Sequence, residues 1–199
     1  MTRIFLAAAA LAATAALTVP TAQAAECDPD KSVDDMSFED ALKVYECLKD
    51  DLQAGYQKGG KAWIPAAHVN DYPSWTAAST MPANPGFHGG RFLMTYVNAV
   101  GAEEYMKYAE NPSIPAGTVL AKESFSVTES GKVRKGPLFL MEKVAAGTSP
   151  KTDDWFYYMV SAKGKPQAVN VFAACSECHQ GNFGDTGGMG YPVEEARVK

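Results

Sequence analysis

The chain has 199 residues, 46% of them hydrophobic and 21% charged, which suits one domain with a substantial core and is short for two. Its 18 basic and 23 acidic residues give a formal charge of −5 without a basic cluster, which argues against nucleic acid or an anionic membrane surface as partner. A mildly acidic surface suits a basic redox partner.

Residues 1–24 read as a secretory signal. Arg3 supplies the positive start, Ile4 to Leu17 is apolar and Ala-rich, and Ala22-Gln23-Ala24 has the small-x-small form cut by signal peptidase. The run is short for a transmembrane span and no second candidate follows; an uncleaved anchor is the alternative. The expected location is the periplasm of an exporting bacterium.

Export puts the four cysteines where thiols oxidise. Cys27 and Cys47 lie in the N-terminal segment and are read as a structural disulfide, closing a loop of about 20 residues and contributing about 3 kcal/mol. A four-cysteine zinc site shared with Cys175 and Cys178 is the alternative.

Residues 25–60 form an N-terminal segment and helix. Ser37 with Asp40 has the form of a capping box, and Phe38, Leu42, Tyr45, Leu48 and Leu52 recur at helical spacing, predicting a helix over 38–57 ended by Gly59-Gly60. Residues 61–199 form the rest of the domain. The stretch 59–90 holds Pro65, Pro73, Pro82, Pro85 and Gly86 and reads as loop with short turns, packed through Trp63, Tyr72 and Trp75.

Strands are expected at 91–97, 118–127, 138–144 and 155–161, with a helical pattern over 99–109. Short turns between adjacent strands imply antiparallel pairing. A short helix is expected over 168–180, followed by an irregular glycine-rich tail. The fold class is α+β: a single domain with one antiparallel sheet flanked by helices and a C-terminal helix.

That last helix carries Cys175-Ser176-Glu177-Cys178-His179. C-x-x-C-H is the attachment signature of c-type haem. Two cysteines three residues apart lie on one side of a helical turn, so both sulfurs reach the vinyl groups along one porphyrin edge. The adjacent histidine then lies under the ring, where its imidazole can bind iron. Haem c is therefore the expected cofactor, held by Cys175 and Cys178, with His179 as the metal ligand. A C-x-x-C redox pair lacks its βαβ context, and a zinc half-site lacks an obvious second half. Met189 is the only methionine after the motif, in a stretch too glycine-rich to reach the far face; Met94, Met106, Met141 and Met159 read as core. His68 and His88 are the alternatives as a sixth ligand. With no sixth ligand evident, an open iron site is expected, suited to binding small ligands rather than to electron transfer alone.

In order along residues 70–193, the chain resembles the cytochrome P-460 family, which includes the cytochromes c-prime-beta. The pieces are Asp71-Tyr72-Pro73-Ser74-Trp75, His88-Gly89-Gly90, Tyr96-Val97-Asn98, Gly117-Thr118-Val119-Leu120-Ala121-Lys122-Glu123, Asp153-Asp154-Trp155-Phe156-Tyr157, the haem motif and Tyr191-Pro192. The resemblance implies an antiparallel-sheet haem domain of the periplasm, often a homodimer, with a five-coordinate haem c. It implies a small nitrogen ligand: hydroxylamine, oxidised by members whose lysine is linked to the porphyrin, with electrons passing to a soluble cytochrome, or nitric oxide, bound by members without the link. Oxidation of hydroxylamine or a related ligand is the first expectation, and nitric oxide binding or simple electron transfer without turnover the alternative.

The linking lysine falls at Lys122. Strand alternation puts Lys122 opposite Val119, Ala121 and Phe125, either facing solvent or covering the haem edge. The family's oxidising members carry a carboxylate over the iron. Glu142 is the one acid of its strand and alternates with Leu138 and Leu140; a one-residue slip would reverse which of Glu142 and Lys143 reaches the pocket. No catalytic residue is therefore assigned. Aromatic residues such as Phe92, Phe125, Phe139 or Tyr157 around a pocket without a base would favour ligand capture over oxidation.

Overall fold

The capping box at Ser37 is the first element that local chemistry dictates. In the computed structural model, which describes residues 27–199, helix α1 spans Phe38–Gln57. The Ser37 hydroxyl accepts from the Asp40 backbone N–H at 3.2 Å, and the Asp40 carboxylate accepts from the Ser37 N–H at 3.0 Å. The helix buries Ala41, Val44, Tyr45, Leu48, Leu52 and Tyr56, while Phe38 at its start stays largely exposed. Cys27 and Cys47 are joined, tying the N-terminal segment to α1. That bond consumes two of the four thiolates a shared zinc site would need. The signal expected over residues 1–24 lies outside the described range.

The stretch read as loop contains a second helix, α2 (Ala66–Asp71), a 3-10 turn (Tyr72–Ser74) and the short strand β1 (Thr76–Ala77). Pro65 stands at the N-cap of α2, where its missing N–H costs nothing, so proline density here marks a helix start. Then come β2 (Phe92–Val97), α3 (Ala102–Tyr105), β3 (Val119–Val127), β4 (Val133–Lys135), β5 (Leu138–Lys143) and β6 (Trp155–Val160). Helix α3 is a single turn rather than the longer segment expected; Tyr108 and Asn111 adopt left-handed backbone beyond it. The strands form one antiparallel sheet in the order β1-β2-β3-β5-β6, with β4 paired to the end of β3. The last helix is α4 (Glu177–Phe183), entered through a π-helical turn at Phe172–Ser176, four residues later than expected at its start.

Pairing register sorts every strand residue to one of two faces. Phe92, Met94 and Tyr96 pair with Phe125, Glu123 and Ala121, and Ala121 pairs with Leu140. These residues, Glu123 apart, belong to the core shared with α1. The opposite face carries Leu120, Lys122, Phe139, Met141, Tyr157 and Met159, matched across β3, β5 and β6. Here a second apolar cluster forms from Val97, Tyr105, Leu120, Met141, Trp155, Tyr157 and Met189. The sheet is thus covered on both sides, and the C-terminal helix and tail belong to the face away from α1.

Burial on both sides explains an unusual central strand. Glu123, on the α1 face, is fully buried. Its carboxyl accepts from the Tyr45 hydroxyl at 2.6 Å and from Gln53 Nε2 at 2.9 Å. Burial raises its pKa, and those hydrogen bonds oppose the rise.

Candidate functional site

Helix α4 and the tail after it position His179. The ring is buried at 6% exposure, and its Nδ1 lies 2.7 Å from the Gly188 carbonyl oxygen. A carbonyl can only accept, so Nδ1 carries the proton and Nε2 keeps its lone pair, the form that binds a metal. Burial pushes the imidazole down to about 4, which also favours the neutral ring. Gly188 has φ +77, and its N–H donates to the Phe183 carbonyl at 2.8 Å. This left-handed turn aims the carbonyl back at His179.

The tail is irregular, as expected, yet held. The Trp155 indole donates to the Gly187 carbonyl at 2.9 Å, and Lys122 Nζ and the Tyr105 hydroxyl donate to the Gly190 carbonyl at 2.7 and 3.2 Å. Met189 between them is fully buried. It belongs to the apolar cluster with Tyr105, Leu120 and Trp155, as a core residue.

In front of His179 lies a cleft with about 880 Å³ of empty space including its open mouth. Cys175, Cys178 and His179 line one wall, and Lys122, Phe139, Met141 and Tyr157 line the sheet wall. Phe183 closes it beside His179, with ring centroids 5.7 Å apart, and Phe87 packs on Phe183 at 5.4 Å. Neither Cys175 nor Cys178 is in a disulfide, although Cys27 and Cys47 are.

Lys122 is 8% exposed, so the solvent-facing alternative is wrong. Alternation assigned its face correctly. What it could not show is that the C-terminal tail covers that face. Burial pushes the amine down to about 8. A side chain at Gly190 would bring its Cβ to 3.3 Å from Lys122 Nζ and 3.4 Å from Phe183, so glycine there permits the close approach.

Other expectations divide. Phe139 and Tyr157 line the cleft, whereas Phe92 and Phe125 stack on each other at 5.1 Å on the α1 face. Met141 and Met159, read as core, also line the cleft. Glu142 is on the α1 face with Leu138 and Leu140: its carboxylate accepts from the Tyr158 hydroxyl at 2.9 Å and lies 3.1 Å from His68 Nε2. His68 is thereby committed away from the cleft. His88 is not: its ring meets Phe139 edge-on at 4.3 Å and lies 6.1 Å from the His179 ring. Burial, with Lys122 and His179 nearby, pushes His88 down to about 3. No Asp or Glu lines the cleft among the described residues.

Sequence reading missed Phe87, Phe183 and the Gly188 carbonyl. Phe183 was legible in principle, four residues after His179 on the same helix face. Phe87 and Gly188 act through loop geometry, which carries no periodic signal.

A pair of free cysteines, an imidazole with its outer nitrogen bare and an apolar cleft between helix and sheet form a donor set that fits a covalently attached haem. Tyr157 also lines this cleft, and its buried hydroxyl makes no well-formed hydrogen bond among the described residues. The fold and site thus fit a haem protein of the c type on an antiparallel sheet. The family profile that matches the chain is Cytochrome P460, over residues 69–186, more than half of its length. The chain belongs to the cytochrome P460 family, and its cofactor is haem c. No curated relative matches it. Among the described residues, no helix is long and apolar enough to cross a membrane.

Proposed function

We propose that this is an exported, periplasmic monohaem cytochrome that takes up a small nitrogen ligand, with nitric oxide the best fit, at the iron face opposite His179. Cys175 and Cys178 are the thioether anchors and His179 the proximal ligand. The haem supplies a redox-active iron that binds diatomic and amine-type nitrogen ligands. The protein's own part is to fix the imidazole through Gly188, to exclude water with Phe87, Phe139, Phe183 and Met141, and to hold Lys122 against the cofactor space.

The observation that carries this reading is the absence of a carboxylate from the cleft lining among the described residues. Oxidising hydroxylamine requires bound substrate to lose protons, and a group within hydrogen-bond reach must accept them; His88 is the neutral side chain of the cleft that could do so besides His179, and burial makes it a weak base. Glu142, the acid considered for that role, faces the other side of the sheet and is engaged with Tyr158 and His68.

A second reading, oxidation of hydroxylamine with electrons leaving to a soluble cytochrome, is favoured by Lys122. Its amine is buried in the cleft, where a link to the porphyrin edge would distort the ring and tune its potential. Protein matured with haem-attachment machinery separates the two. Nitric oxide should titrate to one equivalent per haem, and hydroxylamine should not reduce an added cytochrome. Sustained hydroxylamine-dependent reduction would overturn the binding reading. A strongly red-shifted ferrous Soret band, or a haem-bridged pair of peptides containing Lys122 and His179, would establish the link.

A further inference from the structure

A second cavity adjoins the cleft, between the C-terminal tail and the loop before β2, where His88 is held at φ +55. Phe87, His88, Lys122, His179 and Phe183 line both spaces. Cys175 and Cys178 line the cleft alone, whereas Thr186, Tyr191 and Arg197 line the second cavity alone. The order from the cysteines through His179 to Arg197 thus runs from one space into the next. Iron held by His179 marks the porphyrin centre, and the thioethers fix the vinyl edge at the cysteines. Haem carries its two propionates on the pyrroles opposite those that bear the vinyl groups. That edge therefore points past His179 into the second cavity.

The charges there suit carboxylates. No Asp or Glu lines the second cavity among the described residues, while Lys122 and Arg197 both do. Neither cation is in an ion pair among the described residues. The Arg197 guanidinium carbon lies 5.1 Å from the centre of the Tyr108 ring and 5.7 Å from that of Tyr191, and its Nε donates to the Pro192 carbonyl at 3.0 Å. Two aromatic faces and a carbonyl orient the guanidinium without supplying a full counter-charge. The backbone around it is fixed as well. Thr80 N–H donates to the Ala196 carbonyl at 2.8 Å, and Val198 N–H to the Ala78 carbonyl at 3.2 Å. A planar cation held this way, with its remaining donors spare, is preorganised for a carboxylate. Arg197 lies beyond residues 69–186, so the family match does not speak for it.

We propose that the second cavity receives the haem propionates and that Arg197 pairs with one of them, tying the C-terminal tail to the cofactor. This rests on the reading that Cys175, Cys178 and His179 hold the haem. The tail already orients His179 through Gly188. The ion pair gives the same segment a second hold, on the charge of the cofactor. A cation beside a propionate offsets negative charge near the iron and favours the ferrous state.

The test uses the haem-loaded full protein in a potentiometric titration. Arg197→Gln should shift the ferric–ferrous equilibrium about threefold to tenfold towards ferric, tenfold being about 59 mV for one electron. Arg197→Lys keeps the charge and should stay close to wild type. Tyr108→Phe loses the hydrogen bond to the Ala78 carbonyl but keeps the ring beside Arg197, and it should also stay close. An unchanged potential in Arg197→Gln would overturn the proposal. Equal falls in the Gln and Lys variants would assign the effect to lost packing and overturn it too. Replacing chloride by inorganic phosphate at constant ionic strength should leave wild type unaltered; a phosphate-dependent shift that Arg197→Gln abolishes would give the cavity to a free anion instead. Where the variants fail to mature, a crystal structure of the haem-loaded wild type decides. A propionate oxygen within about 4 Å of an Arg197 guanidinium nitrogen is expected, and both propionates directed elsewhere would refute the pairing. Absence of haem would instead remove the underlying site reading.

Discussion

Replacing Gly188 by alanine probes the contact that orients His179. The residue sits at φ +77, and an added Cβ would meet Trp155 Nε1 at 3.6 Å and Cδ1 at 3.7 Å. Those are ordinary contacts, so sterics with neighbours add little. The cost is the left-handed backbone itself, about 1–2 kcal/mol for an L-residue. For a domain of this size that is a fall in melting temperature of about 2–8 °C, measured by circular dichroism on the haem-loaded protein. Gly147 gives the control: it has φ +81 and nothing within 4 Å of its Cβ position, in the loop between β5 and β6. Gly147→Ala should lose a similar amount. Only Gly188→Ala should also change the haem. A weakened bond from His179 Nδ1–H to the Gly188 carbonyl lowers the electron donation of the imidazole, so the midpoint potential should rise. Equal melting-point losses with an unchanged potential in Gly188→Ala would refute the role given to that carbonyl.

Three further outcomes are expected. The double variant Cys27→Ser, Cys47→Ser opens a bridge spanning 20 residues and should lose about 3 kcal/mol, roughly 6–12 °C, with an unaltered haem spectrum. Glu123, with its pKa raised by burial, keeps its proton in the folded chain at pH values where the unfolded chain has lost it. Wild-type stability should therefore fall as pH rises above about 4.5 and level off beyond the folded pKa; Glu123→Gln should match wild type below that window and exceed it at neutral pH in urea unfolding. Glu142→Gln, altering a carboxylate on the α1 face, should leave nitric oxide affinity and the haem spectrum unchanged; a large loss of either would place Glu142 in the site after all.

Much of the scaffold was legible because its signals are local. The capping box and stripe of α1 gave both ends of that helix, and period-two alternation gave the four main strands within a residue or two. The haem motif is a spacing rule and needs no tertiary knowledge. Alternation also set Lys122 opposite Val119 and Ala121 and grouped Glu142 with Leu138 and Leu140, but only the pairing of β3 with β5 shows that Glu142 faces away from the cleft. It failed at deciding which face meets solvent. In β3, Lys122 and Glu123 point in opposite directions and both are buried, one under the C-terminal tail and one under α1. Polarity reads as exposure only when one face of a sheet is wet. Helix α2 was hidden by proline-rich flanks. His88 reaches the cleft through a left-handed loop conformation, and nothing in the residue pattern announces that.

Digestion of the matured protein followed by mass spectrometry tests the central assignment most directly. One haem should be recovered on the peptide that contains Cys175, Cys178 and His179, and Cys175→Ser, Cys178→Ser should remove it while the chain still folds around its Cys27–Cys47 bridge. Matured protein with that peptide unmodified, or with its cysteines joined in a disulfide, would contradict the account.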